Sequence, residues 1–570
     1  MALDFVEQDK RIHPRDVLVS LERESQKDPL EDIPEQAQNA LDSMINSEDD
    51  AEQANYIGVA IGFFTTFFVL TDCLTQEEIG LTRVMVDAAM LFSGIAQLGT
   101  NASIIRFFPF FKDSDADGDA DVPSSTGASD SVGGPRGKNH GIFGWSVLIP
   151  FIGFTIFALL FFLFKDNIVE LYSDKSPLIA DYCYLLLPLT FFSLYLTVFE
   201  TNANVLLHIV VPKIVRECGI RVFNLVCYLL YGHGVISLDT FVLLFCASYG
   251  IAMLINFFYL ISLGKVSFRI DWNFINRERI KEIILYTLFM TVTVLAGNIP
   301  LINTLFLGAQ TGLALTGVYT IAFYIANIVE VPYRSLGAIS RPLIAQAVRD
   351  DNWSEVNWLG KQVSLHQFLV SSLIFFFIWI NLRALFAVIP HGAEYIAGMG
   401  VVFLLGLAKI TNSSLSIGID ILNYSKLYPF SLVFIALLTL SAILLNQFLI
   451  PMWSINGSAS ATLFSYVIYF ICLLIFLQKR LKINLFSGKH FVVLAMMIGL
   501  FAIGMAWDPL VLPLLEGIGF SVLVTALINA IVKSLVMLAI SILVLRKLHV
   551  SKDVDKILDI RGKLRGVKGQ

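Results

Sequence analysis

From Asn55 to Leu545 the chain alternates long apolar runs with short polar breaks, and each run of roughly 17 to 28 residues can cross about 30 Å of hydrocarbon as a helix. The runs fall at 55–71, 84–106, 142–164, 178–200, 216–232, 238–263, 282–307, 313–333, 363–389, 395–418, 427–450, 456–478, 490–511 and 518–545. They predict an all-α polytopic membrane protein of about 14 transmembrane helices. The fifth run is the most polar at its start, where Arg216, Glu217 and Arg221 crowd together. Residues 1–54 contain no such run and no basic stretch leading into an apolar one, so they read as a polar tail with a short helix near Pro34 to Asn46.

Lysine and arginine set the expected orientation, because positive loops stay in the cytoplasm. With the N-terminus inside, 32 of the 40 basic residues fall on cytoplasmic segments; Arg83, Lys165, Lys175 and Arg383 fall outside, and Arg106, Arg221, Lys409 and Lys533 lie in spans or at their edges. Leaving out the long termini still sets 19 inside against 4 outside, which predicts a multi-pass inner-membrane protein with both ends cytoplasmic. The external loops are short. The longest, Thr71 to Arg83 and Lys165 to Pro177, leave no room for the external domain that a membrane glycosyltransferase or polymerase needs.

An internal repeat appears when the spans are aligned. Ile79-Gly80-Leu81 pairs with Thr316-Gly317-Val318 and Arg106 with Arg341, at offsets of 237 and 235. Farther on, Asp166 to Leu171 matches Asn381 to Phe386, Pro212 matches Pro429 and Ser237 matches Ser454, at offsets of 215 to 217. The drop of about 20 residues is accounted for by the low-complexity stretch between Asp113 and Lys138. Six spans per repeat make two pseudo-symmetric lobes related by an axis along the membrane normal, with a substrate path between them. The expected domains are an acidic tail at 1–54, a first six-helix lobe at 55–264 carrying the insertion 112–140, a linker at 265–281, a second lobe at 282–480, two extra helices at 490–545 and a basic tail at 546–570.

Composition excludes an ordinary soluble enzyme: 56% of the 570 residues are hydrophobic and 15% charged, against about 25% charged in a soluble domain. The net charge of −6 is unevenly distributed. The tail carries −10 and the insertion −3, so the rest of the chain carries +7. Five of the six cysteines lie in apolar runs and none forms a CxxC pair, which points away from a disulfide framework or metal site. Asp113, Asp115, Asp117, Gly118 and Asp119 match the start of a calcium loop, but its twelfth position is Ser124 rather than a bidentate glutamate, and the stretch reads as an acidic linker. No metal and no cofactor are expected. P-loop, HExxH and GxSxG motifs do not occur.

Ionisable residues inside spans are costly and serve as functional candidates. They cluster on spans two, four, eight and ten, at equivalent places in the two repeats. Arg106, Arg221, Arg334, Arg341 and Lys409, with Asn204 and Asn412, are the candidates for binding substrate; Asp87, Glu200 and Glu330 are the candidates for a coupling ion. Such cations suit a diphosphate, because an arginine fork grips its oxygens in pairs and a lysine adds a point charge. Arg106, Arg216, Arg334 and Arg341 are equally explained by the positive-inside bias, and Asp87 and Lys409 by structural ion pairs. Lys533 sits mid-span on the last helix, too deep to reach the interface, and so faces a partner helix or a groove beside the lobes. Prolines 188, 212, 300, 332 and 429 interrupt or end apolar helices and permit bending.

Several segments together resemble the polysaccharide-biosynthesis branch of the multidrug, oligosaccharidyl-lipid and polysaccharide exporter superfamily, the Wzx-type O-antigen flippases, in the version found in Bacteroidota. These are LTQEEIGLTRV (74–84), RFFPFF (106–111), YLLLPLTFF (184–192), the long run from Thr316 to Ala347, EYIAG (394–398) and INGSASAT (455–462). The resemblance spans Asn55 to Leu485. It implies two six-helix lobes around a cationic cavity and movement of a lipid-diphosphate-linked oligosaccharide from the cytoplasmic to the periplasmic leaflet. Energy would come from an ion gradient or membrane potential, without ATP hydrolysis. The implied partners are that lipid-linked substrate, membrane lipids, and a polysaccharide polymerase or glycosyltransferases; no nucleic acid is implied. The acidic tail and the aspartate-rich insertion are not part of the family pattern. The competing readings are a cation-coupled multidrug exporter of the same fold, which calls for deep acidic residues, and a membrane glycosyltransferase or polymerase.

Overall fold

A computed structural model describes residues 57–111, 141–264, 299–516 and 522–548, together with 53, 281, 283–287, 290 and 291. The acidic tail to residue 52, the aspartate-rich insertion, the linker to 280 and the basic tail from 549 lie outside the described residues. Every regular element among the described residues is helical, and ten helices are long and apolar enough to cross a membrane. The protein is a multi-pass membrane protein. The expectation of fourteen spans takes in residues 292–298, which are not among those described.

In chain order the helices are α1 (Ile57–Cys73), α2 (Gln76–Ala96), α3 (Thr100–Phe111), α4 (Ile142–Ser173), α5 (Pro177–Val205), α6 (210–232), α7 (Leu238–Ser262), α8 (Ile299–Gln310), α9 (Leu313–Asn327) and α10 (Val331–Arg349). Then follow α11 (Trp353–Val388), α12 (Gly392–Tyr424), α13 (Pro429–Arg480), α14 (Gly488–Glu516) and α15 (Val522–Leu548). As a straight rod of 52 residues, α13 would hold Phe430 and Phe476 roughly 70 Å apart at 1.5 Å per residue. Their rings are instead 5.0 Å apart, because the chain reverses at Ser454 (φ 52°, ψ −130°), just after Pro451. The tight reversal brings the Gly457 backbone against the Leu449 carbonyl, where a side chain could not fit. Thus α13 is two antiparallel spans, matching the runs at 427–450 and 456–478.

Several helix ends depart from the hydropathy pattern, for a common reason: polar residues that cap or pair inside the protein extend helices past the apolar text. Span two was expected over 84–106, with Arg83 in an external loop. Helix α2 instead begins at Gln76, where Thr75 and Glu78 form a reciprocal capping box, and it ends at Ala96. Leu98 and Gly99 then take positive φ, and α3 starts afresh. Asn101 and Arg106 are therefore not on the helix that carries Asp87. The expected external loop after Lys165 is mostly helix, since α4 runs to Ser173. Between Phe151 and Phe164 of α4 the exposed residues other than Thr155 are large and apolar, among them Leu159, Phe162 and Leu163, as a lipid-facing helix requires.

Two glycines join the halves. A Cβ on Gly80 of α2 would lie 2.1 Å from the Leu313 carbonyl oxygen of α9, and one on Gly317 of α9 would lie 2.1 Å from the Gln76 carbonyl oxygen of α2. Gly80 and Gly317, like Gln76 and Leu313, are 237 residues apart, the offset seen in the sequence repeat. The contact is reciprocal, as a local two-fold axis between two related helices demands. It is reinforced by hydrogen bonds from Gln76 to the backbone and side chain of Glu394, and by one between His391 and the Thr71 carbonyl. At the other end of α2, Ser103 of α3 bonds Thr287 at 2.7 Å and Arg106 lies 4.4 Å above the Tyr286 ring.

The last two helices lie against α11. Val493, Met496, Met497 and Leu500 of α14 and Met537 and Leu545 of α15 pack on Leu365, Leu369, Phe376 and Ile380. Lys533 completes this joint, donating to the Ile380 carbonyl at 2.6 Å and to Asp508 of α14 at 2.7 Å. Its buried charge is thereby paired, the condition for a lysine at that depth.

Candidate functional site

Beyond the glycine junction, the facing surfaces of α2, α9 and α12 turn polar. Arg83 and Asp87, one turn apart on α2, form a salt bridge of 2.7 Å. Asp87 is almost fully buried and also accepts a 2.6 Å hydrogen bond from Thr304 of α8. Arg83 donates to the Tyr324 hydroxyl of α9 at 3.0 Å, so the pair on the first half is clasped by two helices of the second. The guanidinium carbon lies 5.0 Å from the Phe323 ring centroid and 5.3 Å from that of Tyr324.

The same ring is approached by Lys409 of α12, its ammonium 5.4 Å from the Phe323 centroid. Lys409 is 6% exposed and bonds Glu330, at the turn between α9 and α10, at 2.9 Å. Asn412, one turn along α12, donates to the second oxygen of Glu330 at 2.8 Å. Lys409, Asn412 and Glu330 thus form one unit, and Phe323 sets it beside the Arg83–Asp87 unit. Arginine and lysine converge on one aromatic ring from opposite halves of the chain.

Two further pairs extend this belt outward. In the first half Arg216 of α6 bonds Glu200 of α5 at 2.8 Å, and Tyr249 of α7 stands within electrostatic reach of Arg216, Arg83 and Asp87. In the second half Arg341 of α10 bonds Asp420 of α12 at 3.1 Å and the Tyr333 hydroxyl at 2.6 Å. Tyr466 of α13 stands within electrostatic reach of Glu330 and Tyr333. The described belt is therefore zwitterionic: four cations, each matched by a carboxylate.

Not every residue expected in the cavity is brought into the belt. Arg221 turns to α1, bonding Glu217 and the Gly58 carbonyl, and so ties α6 to the first helix. Asn204 is exposed at the end of α5. Arg106 sits over Tyr286 at the opposite end of α2 from the glycine junction. The Arg334 side chain lies outside the described residues. Of the coupling-ion candidates, Asp87 and Glu330 occupy the centre and Glu200 the first-half flank. Arg83, Phe323, Tyr324 and Thr304 belong to the centre and were not among the candidates. Arg83 was missed because it precedes the apolar run; the T-x-x-E cap at 75–78, with the four-residue spacing to Asp87, is the signal that places it inside a helix.

The family model for polysaccharide biosynthesis protein matches residues 54–348, which is more than half of the chain. The chain belongs to that family. No curated protein matches it. Among solved structures, one described as the lipid II flippase MurJ in an inward closed conformation superposes with a TM-score of 0.62 at 12% identity, covering 87% of this chain and 99% of the other. An inward-facing multidrug-resistance MATE transporter of the MOP superfamily gives 0.51 at 13% identity, covering 75% and 98%. These likenesses establish that this polysaccharide biosynthesis protein has the fold shared by those transporters.

Proposed function

We propose that this polysaccharide biosynthesis protein flips a lipid-diphosphate-linked oligosaccharide across the inner membrane by alternating access of its two halves, and that it is a transporter and not an enzyme. The observation that carries this reading is the meeting of Arg83 and Lys409 on the Phe323 ring, at the boundary between the halves. A diphosphate offers two anionic centres linked through one oxygen, and two cations on one aromatic plate match it. Each cation already has a carboxylate partner, so the substrate must exchange with Asp87 or Glu330. Binding is then coupled to whatever neutralises the displaced carboxylate. That exchange links substrate to a proton or cation without ATP. Family membership and the name of the MurJ neighbour support a lipid-linked sugar as cargo. Both termini are placed in the cytoplasm by the distribution of basic residues, with membrane lipids as neighbours and glycosyltransferases or a polymerase as suppliers and users of the cargo.

The test is to replace Arg83 and Lys409 separately with alanine and to measure surface glycan at equal protein levels. Loss of glycan in both variants supports the reading; unchanged glycan in both overturns it. A multidrug exporter of the same fold is disfavoured by the same belt, because a cationic drug calls for unpaired carboxylates and each described carboxylate of the belt is held by a cation.

A further inference from the structure

Inside the second half, α11 and α12 pack antiparallel along a seam whose two ends are marked by close contacts. Gly406 of α12 receives the Phe375 ring of α11, and Gly360 of α11 lies against Ile421 of α12. Between these marks the seam stripe of α11, at steps of three and four residues, reads Gly360, Ser364, Gln367, Ser371, Phe375; that of α12 reads Gly406, Ile410, Ser413, Ile417, Ile421. The middle of a membrane-buried helix pair is therefore polar. Gln367, Ser371 and Ser413 are each 0% exposed. Among the described residues, both amide atoms of Gln367 and the hydroxyls of Ser371 and Ser413 have no hydrogen-bond partner.

Groups buried in that number without partners are costly, and native proteins meet such a demand with internal water bonded to two or more polar partners. The two ends of the polar stretch are titratable. Toward one end, at the level of Ser371 and one turn before Ser413 on α12, stands Lys409, which holds Glu330. At the other, Ser364 is 3.2 Å from Nε2 of His490, at the start of α14. The backbone N–H of Ser487 donates to Nδ1 of His490 at 3.1 Å, which leaves Nε2 as the protonated nitrogen facing Ser364.

We propose that Gln367, Ser371 and Ser413 hold a file of internal water molecules that carries protons between His490 and the Glu330–Lys409 pair. The proton leaves Nε2 of His490 for the Ser364 hydroxyl and the waters as the Ser487 hydroxyl, 3.1 Å from Nδ1, hands its own proton to that nitrogen and takes another from solvent, so that the ring stays neutral. It ends as an O–H on the Glu330 carboxylate, which no longer neutralises Lys409. The ammonium is then available to an anionic group. Running in reverse, the same file returns the proton to the face of the protein that carries His490. The groups facing Glu330 are Lys409 and Asn412 from α12, Tyr466 from α13, and Tyr333 beyond it. Those facing His490 are Ser364, Ser487 and the rings of Phe368 and Phe486. The proton's role in transport rests on the flippase reading; the water file does not.

Two measurements on the full-length protein separate these. In the first, X-ray radiolytic labelling in nanodiscs, read by mass spectrometry, compares the buried seam side chains Phe375 and Ile417 with the equally buried Phe241 and Leu189 of the first half. The seam residues are expected to label well above those references, and a Gln367→Leu, Ser371→Ala, Ser413→Ala variant to lose the excess. Labelling at the reference level in the wild type overturns the water file. In the second, flipping of a fluorescent polyprenyl diphosphate is followed in proteoliposomes by dithionite quenching, with and without an imposed pH gradient. The seam variant is expected to keep the gradient-free rate and lose the stimulation, and Gln367→Asn, which retains an amide, to recover part of it. Stimulation intact in a variant whose labelling is lost overturns the proton route. If the wild type flips no probe, the flippase reading and the route's part in transport both fall, and the labelling alone decides the water file.

Discussion

The two ion pairs that flank Phe323 are built differently. Arg83 and Asp87 are four residues apart on one helix, clasped from outside by Thr304 and Tyr324. Lys409 and Glu330 are 79 residues apart, on two elements, and Asn412 is the further hydrogen-bond partner of the carboxylate. A pair within one helix survives any rigid movement of that helix, because both charges travel together. A pair between elements can be made and broken when those elements shift or when one member takes up a proton. The first is suited to carrying a fixed charge into the site, and the second to switching.

The comparison predicts unequal costs. Asp87→Ala strands a buried arginine and should cost the most stability, about 3–5 kcal/mol, read as a lower melting temperature of the detergent-purified protein. A loss no greater than that of Thr304→Val would mean that Arg83 reaches water without its partner. Gly317→Leu attacks the junction that sets both pairs at one ring; overpacking there should cost about 3 kcal/mol. The reciprocal contact predicts a matching loss for Gly80→Leu, checked by the fraction of monodisperse protein on size exclusion. Glu330→Gln should be milder, about 1–2 kcal/mol, because the amide still accepts from Lys409. If the pair is a switch, this variant should also flatten the pH dependence of transport, while Asp87→Asn should not. Phe323→Leu removes the ring that both cations share and should cost about 1 kcal/mol for each contact; a double-mutant cycle with Lys409→Met should show that coupling. Thr304→Val is the smallest change, about 1 kcal/mol for one hydrogen bond.

The halves also differ in how well hydropathy marks their helices. The runs at 427–450 and 456–478 were read correctly even though the chain between them turns without a loop, because Pro451 and Ser454 punctuate an otherwise continuous apolar text. Span two was displaced by eight residues at its start, since Gln76, Glu77, Glu78 and Arg83 are polar yet helical, held by a cap, by the Glu394 bonds and by Asp87. Glu330, Lys409 and Asn412 were chosen as candidates from their depth in apolar text, but nothing in that text says that they touch. Arg221 was chosen on the same grounds and serves α1 instead.

Membrane insertion, the all-helical class and the two-fold repeat follow from the sequence by itself, because burial in lipid is a local sum over about twenty consecutive residues and a repeat is a comparison of text with text. The family likeness was legible for the same reason. Which charges neutralise one another, and therefore that the belt between the halves is paired rather than simply cationic, was decided only by tertiary structure. An ion pair depends on a few ångströms between atoms that the chain separates by as many as 79 residues, and no one-dimensional pattern carries that distance.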